Sequence, residues 1–507
     1  QIEELYRTGG SSLLNELRSK FPPGVVELSQ VRGLNLKKVE TLHQALGIST
    51  LEELKSAAEA GKLRDIKGFG AKTEAAILAA ITKSEDRPAN RIHIHHALRA
   101  GERIIDYLKT SRALIDVEFG GSLRRWKETV SRVVVVASAK KPQALIDHLV
   151  RFPLVLSELE RGKDRVTVQL TEGFKATLIA VKPEDFALAL LNATGSEAHL
   201  EKLAQLAAKK KIRLPTNGSV SRRQTGANLK SESAIYHRLG MQFIPPELRE
   251  DEGEIEAALR KKLPDDLVTA EDIRGMVHCH TTYSDGKHSV EQMVATAEAM
   301  GMKYITITDH SPAAFYAGGV KIDRLQRQWE EIDEVQEKTK VKIFKGTESD
   351  ILADGSLDYP DRILEQFDVI VASIHSRYKM DSEKMTRRIV TAMRQPVFKI
   401  WGHALGRLIQ KRPPFECRVE EILDVIAENR AAVEINGDPY RLDMEPRWLR
   451  EARRRKIKFV ISVDAHSMGA LNNVKFGVGM ARRAWITRRE VLNTLGVKAF
   501  QKAVRPA

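Results

Sequence analysis

Cysteine is nearly absent: only Cys279 and Cys417 occur in 507 residues. Two thiols so far apart exclude a disulfide-stapled scaffold and any zinc site built on CxxC pairs. Long apolar runs are missing as well. No stretch approaches the ~20 residues of a membrane-spanning helix, and no signal-peptide pattern opens the chain. These absences exclude a membrane partner and lead to the expectation of a soluble, cytoplasmic protein. Negative charge is in deficit, with 68 Asp and Glu against 82 Lys and Arg, for a formal net charge of +14. Such a balance points to an anionic partner, nucleic acid before membrane, since no amphipathic anchor is evident. A hydrophobic content of 42% supports packed cores rather than disorder. The length is enough for about three to four domains.

What the chain does contain is a long series of metal-ligating side chains. It begins in RGMVHCHTTYSDG, residues 274–286, and runs almost to the C-terminus. Read as a strand, residues 277–281 place His278 and His280 on one face and Cys279 on the other. Cys279 therefore reads as a small buried apolar residue. The following SDG turn supplies Asp285. Further strand-like runs each end in an ionisable group: YITITDH on His310, VKIFKGTE on Glu348, VIVASIH on His375, FKIWGH on His403, and KFVISVDAH on Asp464 and His466. Strands so punctuated, with helical segments between them, describe a parallel barrel that collects its chemistry at the C-terminal ends of its strands. Six histidines and three carboxylates are too many for one ion. The mixture suits zinc, manganese or iron better than calcium or magnesium alone, so two or three divalent metals are expected.

The N-terminal half reads differently. From Val25 to Ile81 two helix-hairpin-helix patterns appear. In the second, LRDIKGFGAKTEAAILAAI, Gly68 and Gly70 form a turn into a helix, with Lys72 just inside it. Such glycines let backbone amides approach a DNA phosphate, and the helix N-terminus favours the anion. The first pattern keeps Gly33 but has Asn35 at the second glycine position, and is expected to bind more weakly or only to pack. Residues 84–90, SEDRPAN, read as a linker. His93, His95 and His96 follow on a helix, where successive positions do not share a face, and are expected on a solvated surface.

Together, RGMVHCHTTYSDG, ITITDHS, GTESDILADGSLDYP, ASIHS, WGHALGRL, EINGDPYRLD and SVDAHS resemble the PHP (polymerase and histidinol phosphatase) domain, and more narrowly the C-terminal domain of bacterial family X DNA polymerases. The resemblance covers essentially the whole chain. It implies an α/β multidomain protein with a helix-hairpin-helix region at 1–84, a polymerase-beta-like nucleotidyltransferase palm at 91–187 and a thumb-like part at 188–250. A connection at 251–272 would lead to a PHP domain, a distorted (β/α)7 barrel, at 273–507. By that resemblance the metal ligands are His278, His280, Asp285, His310, Glu348, His375, His403, Asp464 and His466. One departure is Met276, where the family usually has Asp, which would alter the groups that orient the ligands. The family also carries earlier helices with a lyase lysine. The abrupt start at Gln1 reads as truncation or different processing, and no lyase residue is assigned.

The segment VEFGGSLRRWKETVSRVVVVASAK, 117–140, resembles the palm motif of that family, in which a GS turn precedes a strand bearing two aspartates. The turn is kept, but Arg132 and Val134 stand at the aspartate positions, and Thr177 at the third carboxylate. Arg, Val and Thr cannot hold the two magnesium ions that phosphoryl transfer on this fold requires. The nucleotide pocket is eroded too: ATGSEAHL keeps its TGS turn but lacks the usual preceding aromatic. What remains is a basic surface of Arg124, Arg125 and Lys127, then Lys209 to Lys211, then Arg222 and Arg223, suited to phosphate contact.

The resemblance implies a DNA-binding, metal-dependent 3′–5′ exonuclease stimulated by manganese, with polymerase activity lost and a role in repair end processing. Single-stranded, gapped or primed DNA would be the partner, and the oligomeric state stays open. Arg407 and Arg441 lie beside ligand motifs and are candidates to hold the phosphate. Two rivals are a PHP phosphatase acting on a small ester and a nonenzymatic DNA-binding scaffold.

Overall fold

Apolar runs bounded by turn residues form the strands of two separate main sheets, one in each of two units. The computed structural model describes residues 28, 31, 34–85, 91–212, 214, 230–429 and 431–505, in units spanning 1–243 and 244–507. Gly33, Arg222, Arg223 and the chain start fall outside the described residues.

In the first unit, helices α1 (Leu36–Leu46), α2 (Leu51–Glu59) and α3 (Ala71–Glu85) bury Leu42, Leu54, Phe69 and Ile77 in a shared core. Asn35 is the N-cap of α1 and accepts a hydrogen bond from Lys38 N. A sheet follows, built from β1 (Asp116–Phe119), β2 (Val133–Ser138), β3 (Val155–Arg161), β4 (Arg165–Leu170) and β5 (Lys175–Val181). Its order is β1-β2-β5-β4-β3, and only β2 and β5 run parallel.

The expected solvated histidine face is not observed. His93 caps the helix Ile94–Lys109, and His93, His95 and His96 are half-buried, with the His95 and His96 rings 4.0 Å apart. The first turn of this helix lies near Phe174, and burial pushes the His95 imidazole down to about 4.

Among its described residues the second unit holds seven strands: β6 (Gly275–Cys279), β7 (Tyr304–Ile307), β8 (Lys342–Asp350), β9 (Val369–Ser373), β10 (Ile400–Trp401), β11 (Ala432–Asn436) and β12 (Lys458–Ser462). They pair in sequence order, all parallel. Being covered on both faces, they are continuous apolar runs such as VIVAS rather than alternating ones. Beyond β6 and β12, His280 N donates to Ala465 O and Ala465 N to His278 O, while the Asn493 side-chain amide donates to both Gly275 O and Ile461 O. These bonds bring the first strand to the last and nearly close a distorted barrel. Phe500, on the helix Val497–Val504, stacks on Tyr304 at the start of β7 with centroids 4.5 Å apart, sealing the N-terminal end. Gly275 permits this packing, since a Cβ there would lie 2.0 Å from the Tyr304 ring.

The 251–272 stretch, expected as a connection, is packed against this unit instead. It forms the helix Glu254–Leu259, buries Ile255 and Val268, and bonds Val268 N to Ile486 O. Its apolar residues, spaced among charges, decide the outcome.

Candidate metal centre

The C-terminal ends of the barrel strands bring all nine candidate ligand side chains together. Glu348, at zero side-chain exposure, lies at the middle. Its carboxylate is 3.3 Å from His278 Nε2, 3.5 Å from His280 Nε2, 2.9 Å from His310 Nδ1, 3.2 Å from His375 Nε2 and 2.7 Å from His403 Nε2. Asp464 Oδ1 lies 3.5 Å from His278 and 3.4 Å from His280, and Asp285 Oδ1 lies 3.6 Å from His310 and 3.3 Å from His466. Three overlapping groups have ligand atoms close enough to share an ion: His280, Asp285, His310 and His466; His278, His280, Glu348 and Asp464; and His310, Glu348 and His375. Among the described residues no other such group occurs.

The backbone reaches this arrangement by a route the alternation pattern misses. β6 ends at Cys279 with a register shift after Met276, and His278 sits in the left-handed region at φ 66°. The bulge, not the pleat, aims His278, whose ring centroid is 5.2 Å from that of His280. His403 (φ 22°) and Asp464 (φ 48°) also hold left-handed backbone that non-glycine residues rarely adopt. Three of the nine ligands thus depend on backbone that non-glycine residues rarely adopt.

Several buried polar atoms of the cluster make no hydrogen bond among the described residues: His278 Nε2, both nitrogens of His280, His310 Nδ1, His403 Nδ1 and Glu348 Oε2. Unpaired buried imidazole nitrogens facing carboxylate oxygens suit cations between them, and the residues therefore fit divalent metals. Charge distribution agrees. Burial opposes ionisation of Glu348, yet His375, His278, His310 and His403 hold it well below the usual carboxylate range. Burial, with His466 and His310 nearby, pushes His280 down to about 3. Burial acts the same way on His375 and His466, but Glu348 raises the former to about 10 and Asp285 the latter to about 9.

Two supporting carboxylates were not singled out by sequence. Glu434, fully buried on β11, lies 2.5 Å from His278 Nδ1 and accepts from Ser462 Oγ, Asn436 Nδ2 and His403 N. It fixes the His278 tautomer from behind, a role that Met276, buried on β6, cannot take. Its signal was a lone Glu inside the apolar strand AVEIN. Asp309 accepts from Thr281, Ser284 and Gln328 and ties the loop bearing Asp285 to the barrel.

The two candidate phosphate-holding arginines part company. Arg441 Nε lies 3.1 Å from Asp464 Oδ2, and its Nη1 is buried without a hydrogen bond. Arg407 is corrected to a structural residue: its guanidinium donates to Arg441 O and Leu442 O and lies 3.3 Å from Glu445. Backbone carbonyls of the turn consume it.

In the palm, Val134 on β2 is the register partner of Thr177 on β5, and Thr177 Oγ1 pairs with Thr167 Oγ1 at 3.0 Å. Arg132 is exposed. The GS turn packs directly on Val134, with a Cβ on Gly121 only 3.1 Å from it. Arg124 and Arg125, expected as DNA contacts, turn inward. Arg124 makes a bidentate pair with Glu232 at 2.8 and 3.0 Å and bonds Thr194 Oγ1, while Arg125 donates to Thr194 O. A carboxylate more than a hundred residues away captures the nearer guanidinium. Lys127 is half-buried, and Lys209, Lys210 and Lys211 are exposed, with Lys210 donating to Leu239 O. At the hairpin turn Gly68 has φ 95°, no atom of the described residues lies within 4 Å of a Cβ on Gly68 or Gly70, and Lys72 is exposed.

Comparison with known proteins accords with this geometry. Residues 277–438 match the PHP domain, 189–250 the DNA polymerase beta thumb, and 25–83 the SAM-like helix-hairpin-helix tandem. The DNA polymerase/3′-5′ exonuclease PolX of Bacillus subtilis (strain 168) is 34% identical over 98% of this chain and 87% of its own length. A probable phosphatase of Thermoanaerobacter sp. (strain X514) is 27% identical over 43% of this chain and 89% of its own. A ternary complex of Leishmania infantum polymerase beta overlaps 45% of this chain and 98% of that one at 16% identity, with a TM-score of 0.30. No helix among the described residues is long and apolar enough to cross a membrane. Convergent imidazoles at the ends of seven parallel strands, preceded by a polymerase thumb and a hairpin tandem, belong together in one lineage: the chain is a member of the bacterial family X DNA polymerases with a C-terminal PHP domain.

Proposed function

We propose that the chain is a DNA-binding, metal-dependent 3′–5′ exonuclease whose polymerase activity is lost, acting on DNA ends in repair. The observation that carries this reading is the convergence of nine ligand side chains in the barrel, in a chain whose palm holds Arg132, Val134 and Thr177 at the positions the resemblance assigns to carboxylates. His278, His280, Asp285, His310, Glu348, His375, His403, Asp464 and His466 would hold two or three ions of zinc, manganese or iron. Bound there, divalent cations supply positive charge against phosphate oxygens and acidify a water. Arg441, poised on Asp464 with one buried donor to spare, binds a non-bridging phosphate oxygen. Glu434 keeps the His278 ring oriented with its Nε2 toward the cluster. Gly68, Gly70 and Lys72 contact the DNA backbone.

End-labelled single-stranded and primed DNA, incubated with purified protein and manganese, tests this. Stepwise 3′ shortening that chelator abolishes is expected, with no extension when deoxynucleotides and template are added. Phosphate release from small esters alone, as the resemblance to probable phosphatases would allow, contradicts the nuclease reading. Templated extension contradicts loss of the polymerase.

A further inference from the structure

The loop following His310 carries the two most exposed large hydrophobic side chains among the described residues, Phe315 at 84% and Tyr316 at 61%. They are adjacent, and they stand at the mouth of the cluster. The Tyr316 ring centroid is 6.5 Å from that of His310 and 6.4 Å from that of His375. Phe315 stands edge-to-face against Tyr316 at 6.0 Å and reaches further into solvent.

This exposure is built in. Val320 N donates to His310 O at 2.7 Å, and Ala317 N and Gly319 N both return to Ala314 O, at 3.0 and 3.1 Å. The Tyr359 hydroxyl donates to Val320 O, and Asp358 accepts from Ala313 N. A Cβ on Gly319 would lie 2.0 Å from Ser311 O, so the closed turn admits no side chain there. The loop is fastened at several points and still turns both rings outward. Elsewhere on the cluster's rim Arg377, two residues past His375, is exposed, Arg412 stacks 3.9 Å over the Tyr378 ring, and Arg441 lies on Asp464.

Exposed aromatic rings at the mouth of a cluster built for cations match the chemistry of single-stranded nucleic acid, in which each base offers a π-face and each linkage a negative charge. A protein or lipid partner would call for a broader apolar patch than two rings. We propose that Phe315 and Tyr316 are a stacking platform for the base of the 3′-terminal nucleotide while its phosphodiester lies on the cluster. This rests on the nuclease reading above for the identity of the strand. It makes the site prefer ends that bear a base.

The test compares thymidine 5′-monophosphate with 2-deoxyribose 5-phosphate, which has the same sugar and phosphate but no base. Binding of each to the manganese-loaded full chain is measured by calorimetry. The native chain is expected to bind the nucleotide about tenfold more tightly. The double variant Phe315→Ala, Tyr316→Ala should lose that preference, with metal content and melting temperature unchanged, and the exchange Phe315→Tyr, Tyr316→Phe should restore it. Equal affinity of the native chain for the two compounds, including no measurable binding of either, or a preference that survives the double variant, overturns the platform. Shortening of labelled DNA by the native chain is scored separately, so that failure of the nuclease reading is not confused with failure of the platform.

Discussion

The parallel strand pair β2–β5 of the N-terminal unit and the barrel strands of the C-terminal unit are built alike, from largely buried runs rich in β-branched residues. They end very differently. Val134 faces Thr177 across the first pair, whereas Glu348, at the end of β8, is surrounded by five imidazoles within 3.5 Å. Burying an ionised carboxylate without a partner is costly, and burying valine stabilises. A carboxylate therefore persists where cations or imidazoles compensate it. In the barrel imidazoles surround the buried carboxylate; in the N-terminal sheet Val134 packs on the GS turn, Thr177 pairs with Thr167, and Arg124 turns inward onto Glu232.

Glu348→Gln strikes this contrast hardest, because Glu348 belongs to two of the three overlapping groups. It should lower the rate of 3′ shortening by about 10³-fold or more, ~4 kcal/mol of barrier. Placing aspartates at 132, 134 and 177 attacks the contrast from the other side. The triple variant should not extend a primer, and chemical denaturation should show it destabilised by roughly 2–4 kcal/mol, since the GS turn packs on Val134. Arg441→Met should reduce turnover by about 10²-fold, while Arg407→Met should cost about 2 kcal/mol of stability, measured by chemical denaturation, through the carbonyls it leaves unpaired. Glu434→Gln should weaken metal binding by about 10- to 100-fold, measured by chelator competition.

The smallest effect is a proton count. In the metal-free protein His375 is raised to about 10 and His466 to about 9, so both carry a proton at pH 7. Metal ligation needs the neutral imidazole. Loading at pH 7 should therefore release about two protons from this pair, and affinity should rise with pH until those imidazoles deprotonate. Calorimetry in buffers of different ionisation enthalpy measures the release; none would show that the two rings do not ligate.

Much of this was legible in the sequence, because a ligand at a strand end is a local pattern. Runs such as VIVASIH and KFVISVDAH carry both strand and ligand in one stretch, and the GS turn before an apolar strand is equally local. What sequence missed is relational. The bulge at His278 has no residue signature, for a left-handed histidine looks like any other. Arg124 reads as a surface cation until Glu232 is folded against it, and Arg407 reads as a phosphate ligand until the 441–442 carbonyls reach it. Glu434 and Asp309 act through neighbours that only the barrel brings near. The 251–272 stretch looked like a connection because its charges outnumber its apolar residues, but a few apolar contacts were enough to pack it.

Anomalous diffraction from crystals grown with manganese locates cations directly in both units. Peaks confined to the space among Glu348, Asp464, Asp285 and the six histidines are expected, with nothing beside Val134 even when a deoxynucleoside triphosphate is present. A manganese peak between β2 and β5, or an empty barrel cluster in protein that shortens DNA, would contradict the account.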